Sequence, residues 1–288
     1  MCMTVKAPAK INLSLDVGPR RADGYHPIRS VMQAVTLFDT VRLERIADGI
    51  ELSASDPALP CGEENTAHRA ARAFAAATGY VGGVRIRLEK NIPMQAGLAG
   101  GSADAAAVLA GLNRLAGDPL PLPELCRLAA GIGADVPFCL VGGTQLAEGI
   151  GERMTPAPPM PDGWIVLAKP PVGVSTGAAY AAVDALPPAE REGTPALLQA
   201  LASGELPRVA AALDNRFMAA VALPEVAALC RAMRMCGALG AAMSGSGSAV
   251  FGLFDGADAA NACAQQLQGQ AQTFVCRPCR GGAAENFS

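Results

Sequence analysis

Residues 97–102 read GLAGGS and run without a break into ADAAAVLAGL, a glycine-rich turn feeding an alanine-rich helix. The turn carries almost no side-chain bulk, so its backbone amides lie bare, and the helix behind it adds the positive end of its dipole. Val84 to Leu88 alternates as a strand does, which makes the whole segment strand, glycine loop and helix. Such a unit can wrap phosphates. It is not a Walker A loop, because no lysine occurs between Lys90 and the end of the helix, and Gly97, Gly100 and Gly101 do not spell GxGxxG. A tight strand-to-helix turn with close packing is the competing reading of the same residues. Ser102 is the expected N-cap of the helix, with Asp104 in its first turn.

A second glycine loop, SGSGS at Ser244 to Ser248, lies between two apolar strands. It reads either as an anion-binding concavity or as a hairpin turn. One such loop in each half of the chain suggests a phosphate-bearing ligand held in a cleft between two lobes.

The remaining pattern is mixed helix and strand. From Lys10 to Val17 one face carries Ile11, Leu13 and Leu15 and the other Lys10, Asn12 and Ser14, a half-buried strand whose polar face can meet a ligand. Strands are predicted at Ser30 to Leu37 and Thr40 to Ile46. A helix is predicted from Asn65 or Thr66 to Thr78, stopped by Gly79, and another over Leu122 to Ala130. The prolines of Thr155 to Gly163 mark a linker. A strand follows at Trp164 to Ala168, then a mostly helical stretch over 175–236, then strand, glycine turn, strand, helix and strand. The tail RGGAAENFS reads as disordered.

Composition narrows the function. Lys plus Arg is 23 against 26 for Asp plus Glu, a net charge of −3, which offers no field for gripping a polyanion and argues against nucleic acid as the principal partner. Every apolar run is broken by Gly, Pro or charge well short of the about 20 residues of a membrane helix. The start, MCMTVKAPAKINL, lacks the apolar run of a signal peptide. Nine scattered cysteines cannot form a complete disulfide framework and point to a reduced, cytoplasmic setting. Cys276 and Cys279 form a CxxC without the second pair a zinc site wants, so they read as small core hydrophobes. Aromatics are only 4% of the chain, so each one outside the core is informative.

APAKINL near the amino terminus, PMQAGLAGGSADAA in the centre and SGSGSAVF near the end resemble, in order, the three motifs of the GHMP small-molecule kinases. RRADGYHPIRSVMQ, GADVPFCLVGGTQLAEGIGE and PPVGVSTGAAY narrow the resemblance to members that act on a cytidine-diphosphate-linked polyol. The resemblance implies an α/β (α+β) two-lobed fold. Residues 1–155 would form a lobe like the second domain of ribosomal protein S5, carrying the phosphate loop and the catalytic pair, and residues 156–288 a ferredoxin-like lobe. It implies ATP with Mg²⁺, and transfer to the 2-hydroxyl of 4-diphosphocytidyl-2-C-methyl-D-erythritol in non-mevalonate isoprenoid biosynthesis, by a monomer or homodimer with neither nucleic acid nor membrane as partner.

The site residues follow from the same resemblance. The catalytic pair maps onto Lys10 and Asp135. The phosphate loop maps onto Pro93, Met94, Gln95, Ala96, Gly97, Leu98, Ala99, Gly100, Gly101, Ser102 and Ala103. Gln95 and Ala96 stand where some members have glycine, and Gly100 is expected to be where a side chain would block the approach to phosphate. Asn65 and Lys90 map near adenine. Tyr25 and Tyr180 would sandwich cytosine, with His26 on its edge. Asn12, Thr176, Ser244 and Gly245 would face substrate, and Ser102 would touch the metal. Ordinary alternatives stand beside these roles: a helix-cap aspartate at 135, a solvated strand lysine at 10, a turn aromatic at 25, an N-cap at 102 or 176. Tyr80, after a helix-ending glycine, reads as packing. A kinase of another alcohol, such as mevalonate, homoserine or a sugar, and a non-catalytic nucleotide-binding protein are the rival functions.

Overall fold

In a computed structural model, which describes residues 2–187 and 192–287, the chain forms two sheets flanked by helices. The first part runs β1 (Cys2–Val17), β2 (Ile28–Ile46), β3 (Ile50–Ala54), α1 (Thr66–Thr78), β4 (Gly83–Glu89), α2 (Gly100–Leu115), α3 (Leu122–Ala130), α4 (Val136–Val141), β5 (Thr144–Gly149) and β6 (Arg153–Pro156). The second runs β7 (Trp164–Lys169), α5 (Thr176–Asp184), α6 (Thr194–Ser203), α7 (Leu206–Ala211), β8 (Asp214–Asn215), α8 (Arg216–Val221), α9 (Pro224–Met235), β9 (Gly240–Met243), β10 (Val250–Phe254), α10 (Ala257–Gln266) and β11 (Gln272–Cys276).

The larger sheet has the order β3-β4-β2-β1-β8, with β5 on the first half of β2 and β6 outside it. The smaller is antiparallel with order β11-β7-β10-β9, the arrangement of a split β-α-β unit, as a ferredoxin-like fold has. The lobes are stitched by β8, which pairs in parallel with β1 at Ser14 and Leu15.

Helix α2 explains its own composition. It is buried almost all round, with Ala103, Ala105, Ala106, Ala107 and Val108 shielded from solvent and Gly111 too close to Leu43 for a side chain, since a Cβ there would meet Cδ1 at 2.2 Å. Only small residues let a helix sit that tightly against a sheet on one side and other helices on the other. The caps of α1 behave as expected: Asn65 Oδ1 accepts from the Ala67 amide at 2.8 Å, and Gly79 closes the helix at φ +65°.

Three expectations are corrected. The two strands at 30–37 and 40–46 are one continuous strand, β2, because a register shift between Pro8 and Ala9 of β1 absorbs the irregularity. Ser102 does not cap α2; the helix starts at Gly100 with Ala99 before it at φ +59°, and no side chain caps it. The tail is ordered through Phe287: Phe287 bridges Val5, Lys6 N donates to Asn286 O at 2.9 Å, and Gly282 lies so near the Leu140 carbonyl that a Cβ would sit 2.3 Å from it. Its glycines, which look like disorder in the sequence, permit that close approach. Of the CxxC pair, Cys276 is buried and burial pushes its thiol up to about 12. That keeps it protonated and inert.

Candidate active site

A cavity of about 690 Å³ opens between the lobes. Residues of β1 and of the two glycine loops line it, together with Tyr180 of α5 and Phe217 of α8.

The two loops touch. Gly97 adopts φ +74°, and a Cβ on it would meet the Ser244 carbonyl oxygen at 2.1 Å. Ser244 Oγ donates to the Gly97 carbonyl at 2.9 Å, and Ala249 N donates to Ala96 O at 3.1 Å. Both readings of SGSGS therefore have a basis: it is a turn closed by Gly247 N to Ser244 O at 3.0 Å, and its residues 245–247 line the cavity. Because no side chain caps α2, its first-turn amides are left for a ligand from the cavity.

Lys10 is not a solvated strand lysine. It is buried, its Nζ donates to Asn12 Oδ1 at 2.6 Å, and the same nitrogen lies 3.7 Å from Asp135 Oδ2. Irregularities of β1 between Pro8 and Ala9 and between Asn12 and Ser14 bracket it, and bulges of this kind re-aim side chains. Asp135 occupies the position before α4 yet makes no capping bond, so its carboxylate stays 31% exposed toward the cavity. The side chain of Asn12 is held by the protein: its oxygen accepts from Lys10 and its Nδ2 donates to Ser30 Oγ at 2.8 Å. That makes it a splint for Lys10, and it also lines the cavity.

At the other end, Asn65 lines the cavity while capping α1, and Thr66 Oγ1 donates to the Gly101 carbonyl at 2.7 Å. Lys90 Nζ donates to Asp39 Oδ2 and, at 2.5 Å, to Asp104 Oδ2. Burial works against the ammonium, but Asp104 and Asp39 outweigh it and hold Lys90 above the usual lysine range. Burial above all, with Asp39 beside it and against the pull of Lys90, pushes the Asp104 carboxyl up to about 7 from an ordinary 3.8. Between those two values the folded chain holds a proton that the unfolded chain has lost, so this group's contribution to stability falls as pH rises from 4 toward 7. Melting curves of the wild type and Asp104→Asn should show it: the wild type loses ground against the variant over that interval, and parallel curves would contradict a raised Asp104.

Thr176 Oγ1 lies 3.3 Å from Ser246 Oγ at the cavity, while Ser175 supplies the N-cap of α5. Tyr180 stacks on His26 with centroids 5.0 Å apart and meets Phe217 edge-on at 4.9 Å. His26 Nδ1 is 2.9 Å from the Gly18 carbonyl and Nε2 is 3.4 Å from Asp184 Oδ1. Tyr25 is 58% exposed on the loop between β1 and β2, and neither it nor His26 lines the cavity. Ala103 and Ser244 are also outside the lining, both fully buried. Tyr80 packs edge-on against Phe74, as expected. Sequence reasoning missed Phe217, Asp39 and the pairing of Lys90 with Asp104. Phe217 sits in the helical stretch without any motif, and Asp39 lies inside a strand, where only its hydrogen bonds reveal it.

A family model described as the GHMP kinases N terminal domain matches residues 65–143, and one described as GHMP kinases C terminal matches residues 197–271. The chain belongs to the GHMP kinase family. It is a small-molecule kinase, and GHMP kinases use ATP. A relative from Symbiobacterium thermophilum named 4-diphosphocytidyl-2-C-methyl-D-erythritol kinase is 48% identical over 254 residues, 87% of this chain and 90% of that one. A relative of the same name from Clostridium botulinum (strain Eklund 17B / Type B) is 41% identical over 92% of this chain and 96% of its own. A crystal structure of a 4-(cytidine 5'-diphospho)-2C-methyl-D-erythritol kinase superposes with TM-score 0.82 at 38% identity, covering 97% of this chain and all of that one. A GHMP-type fold is likewise shared with a homoserine kinase from Cytophaga hutchinsonii, TM-score 0.78 at 22% identity over 98% of this chain and 96% of that one. No described helix is long and apolar enough to cross a membrane.

Proposed function

We propose that this GHMP kinase transfers the γ-phosphate of ATP to the 2-hydroxyl of 4-diphosphocytidyl-2-C-methyl-D-erythritol, giving the 2-phosphate and ADP. The observation that carries the chemistry is the buried Lys10 ammonium 3.7 Å from the partly exposed Asp135 carboxylate at the cavity; the relatives' shared name supports the substrate. Phosphoryl transfer to an alcohol is governed by positioning and charge, so an aspartate suffices as base. Asp135 takes the hydroxyl proton as the oxygen–phosphorus bond forms. Lys10, splinted by Asn12 and beside that carboxylate, steadies the incoming oxygen. The amides of Gly97 to Ser102 and the first turn of α2 hold the phosphates.

The donor set bears on Mg²⁺. Among the described residues no group of three or more His, Cys, Asp or Glu could cage a metal; a hard ion that leans on phosphate oxygens and water needs no cage. Ser102, on the cavity wall, is its proposed protein contact, and the ion would supply charge neutralisation on the phosphates.

The nucleobase end is proposed at Tyr25, His26 and Tyr180, with Thr176 and Gly245 beside the polyol. His26 stacks directly on Tyr180, so a base between Tyr25 and Tyr180 would require that pair to part. Tyr25→Ala should weaken substrate binding by about 1 to 3 kcal/mol, while Tyr25→Phe stays mild. Equal loss in both would mean that stacking is the wrong account. Residues 1–155 and 156–288 are proposed as the two lobes of the chain, working in a reduced cytoplasmic compartment.

ADP release with Mg²⁺ and ATP tests the assignment, comparing the cytidyl alcohol with the same polyol phosphate lacking cytidine, mevalonate and homoserine, and locating the new phosphate by phosphorus NMR. Turnover confined to the cytidyl substrate, at the 2-position, is expected. Preference for another alcohol would overturn the substrate, and silence from all of them would overturn catalysis.

A further inference from the structure

Lys90 and Asp104 are 14 positions apart, and the segment between them is the phosphate loop. Their ion pair closes that loop at its base. The ammonium reaches β2 as well, through Asp39, whose other oxygen accepts from the amides of Asn91 at 2.6 Å and Ile92 at 2.9 Å. One buried cluster thus holds the sheet, the first residues of the loop and the start of α2. The Lys90 ammonium lies under the first residue of α2, 3.5 Å from where a Cβ on Gly100 would stand.

Stability is a poor reason for such a cluster. Two carboxylates share one ammonium out of solvent, and Asp104 Oδ1 is buried without a partner. Apolar side chains of similar volume commonly do as well or better than a buried ion cluster, whereas a buried orphan oxygen is costly. What the ions add over apolar packing is a fixed geometry, and here it is fixed at both ends of the loop whose amides face the cavity.

We infer that Asp104 is a positioning residue for the nucleotide: acting through Lys90 and Asp39, it staples the two ends of the glycine loop to the sheet and sets where the loop amides stand when ATP binds. This rests on the reading of the loop as the ATP phosphate site. ATP affinity of the full chain, measured by calorimetry without any alcohol at pH 8, gives the direct test, with steady-state kinetics beside it. Asp104→Asn and Asp104→Leu should each raise the Kd and KM for ATP about tenfold or more, with kcat within about threefold and the KM for the alcohol unchanged. Asp104→Leu should do so while melting no lower than the wild type, and amide hydrogen exchange should quicken over residues 95–103 but not over 107–115. Unchanged ATP affinity in a folded variant, or a loss of affinity matched by loosening of all of α2, would overturn the inference. Should neither variant fold, Asp39→Asn probes the staple from its other end and should raise the KM for ATP in the same way; an unchanged value there would also overturn it. A wild-type chain that binds ATP yet leaves the cytidyl alcohol unphosphorylated would remove the proposed substrate and leave the staple standing.

Discussion

Replacing Asp135 with alanine should lower turnover by a factor on the order of 10² to 10⁴, the usual range for a general base, with little change in the KM for ATP. The structure makes this a clean experiment. Asp135 makes no capping bond to α4 and is 31% exposed, so its removal takes little from the fold. Lys10 would lose its nearest carboxylate but keep Asn12 Oδ1 at 2.6 Å, so the ammonium is not orphaned. Replacing Lys10 is less informative, because that side chain is buried and bonded and its loss would disturb β1 as well as chemistry. ADP release under saturating substrates reads the result. Near-normal turnover in a folded Asp135→Ala would remove this carboxylate as the base and send the proton to solvent or to the phosphate itself.

Gly97→Ala should be the most damaging single methyl in the proposed phosphate loop. Two penalties coincide there. The backbone is left-handed at φ +74°, and the new Cβ would lie 2.1 Å from a backbone carbonyl of the second glycine loop, which cannot swing aside as a side chain can. The loops must separate, breaking the Ser244 Oγ bond to the Gly97 carbonyl and the Ala249 bond to Ala96. ATP use should fall by a factor on the order of 10², a loss of roughly 2.7 kcal/mol in transition-state stabilisation, and the melting point should drop with it. Gly100→Ala is the control. Gly100 has no left-handed backbone, and the nearest neighbours of a Cβ there are side-chain atoms, Ile92 at 3.1 Å and the Lys90 ammonium at 3.5 Å. If both variants bind ATP equally, contact between the two loops does not shape the phosphate site. Gly97 is where the fold itself forbids a side chain, whereas a Cβ on Gly100 would turn toward Ile92 and Lys90.

Relatives at 40–48% identity and the two family models bear out the resemblance carried by APAKINL, the central glycine loop and SGSGSAVF. Those motifs could be read because each is contiguous and chemically unusual. Local rules served equally well where a few adjacent residues decide the outcome. Asn65 and Gly79 bound α1 because capping and left-handed closure act within one turn. The alternation in β1 was legible in the same way, but only one face was expected to be buried. In the fold Lys10, Asn12 and Ser14 are buried too, because the second lobe and the glycine loops cover that face.

Ser102 shows where local rules fail. It has the right side chain for an N-cap, yet the chain turns into the helix at Ala99, since the glycine loop must first dock against Ser244. Asp135 fails the other way: it stands where a cap belongs and points instead at a lysine from the far end of the chain. The residues alone spell the alphabet of this protein: a bare glycine loop ahead of an alanine-rich helix, a small aliphatic core, a second glycine turn and the family those motifs announce. Only the packed fold brings Lys10 to Asp135, shares Lys90 between Asp39 and Asp104, places Phe217 on the cavity and packs the glycine-rich tail on β1. The reason is physical. Helix, cap and turn are set by contacts within about four residues, whereas an ion pair, a loop-to-loop contact and the burial of a polar face depend on which distant segments the packed core brings together.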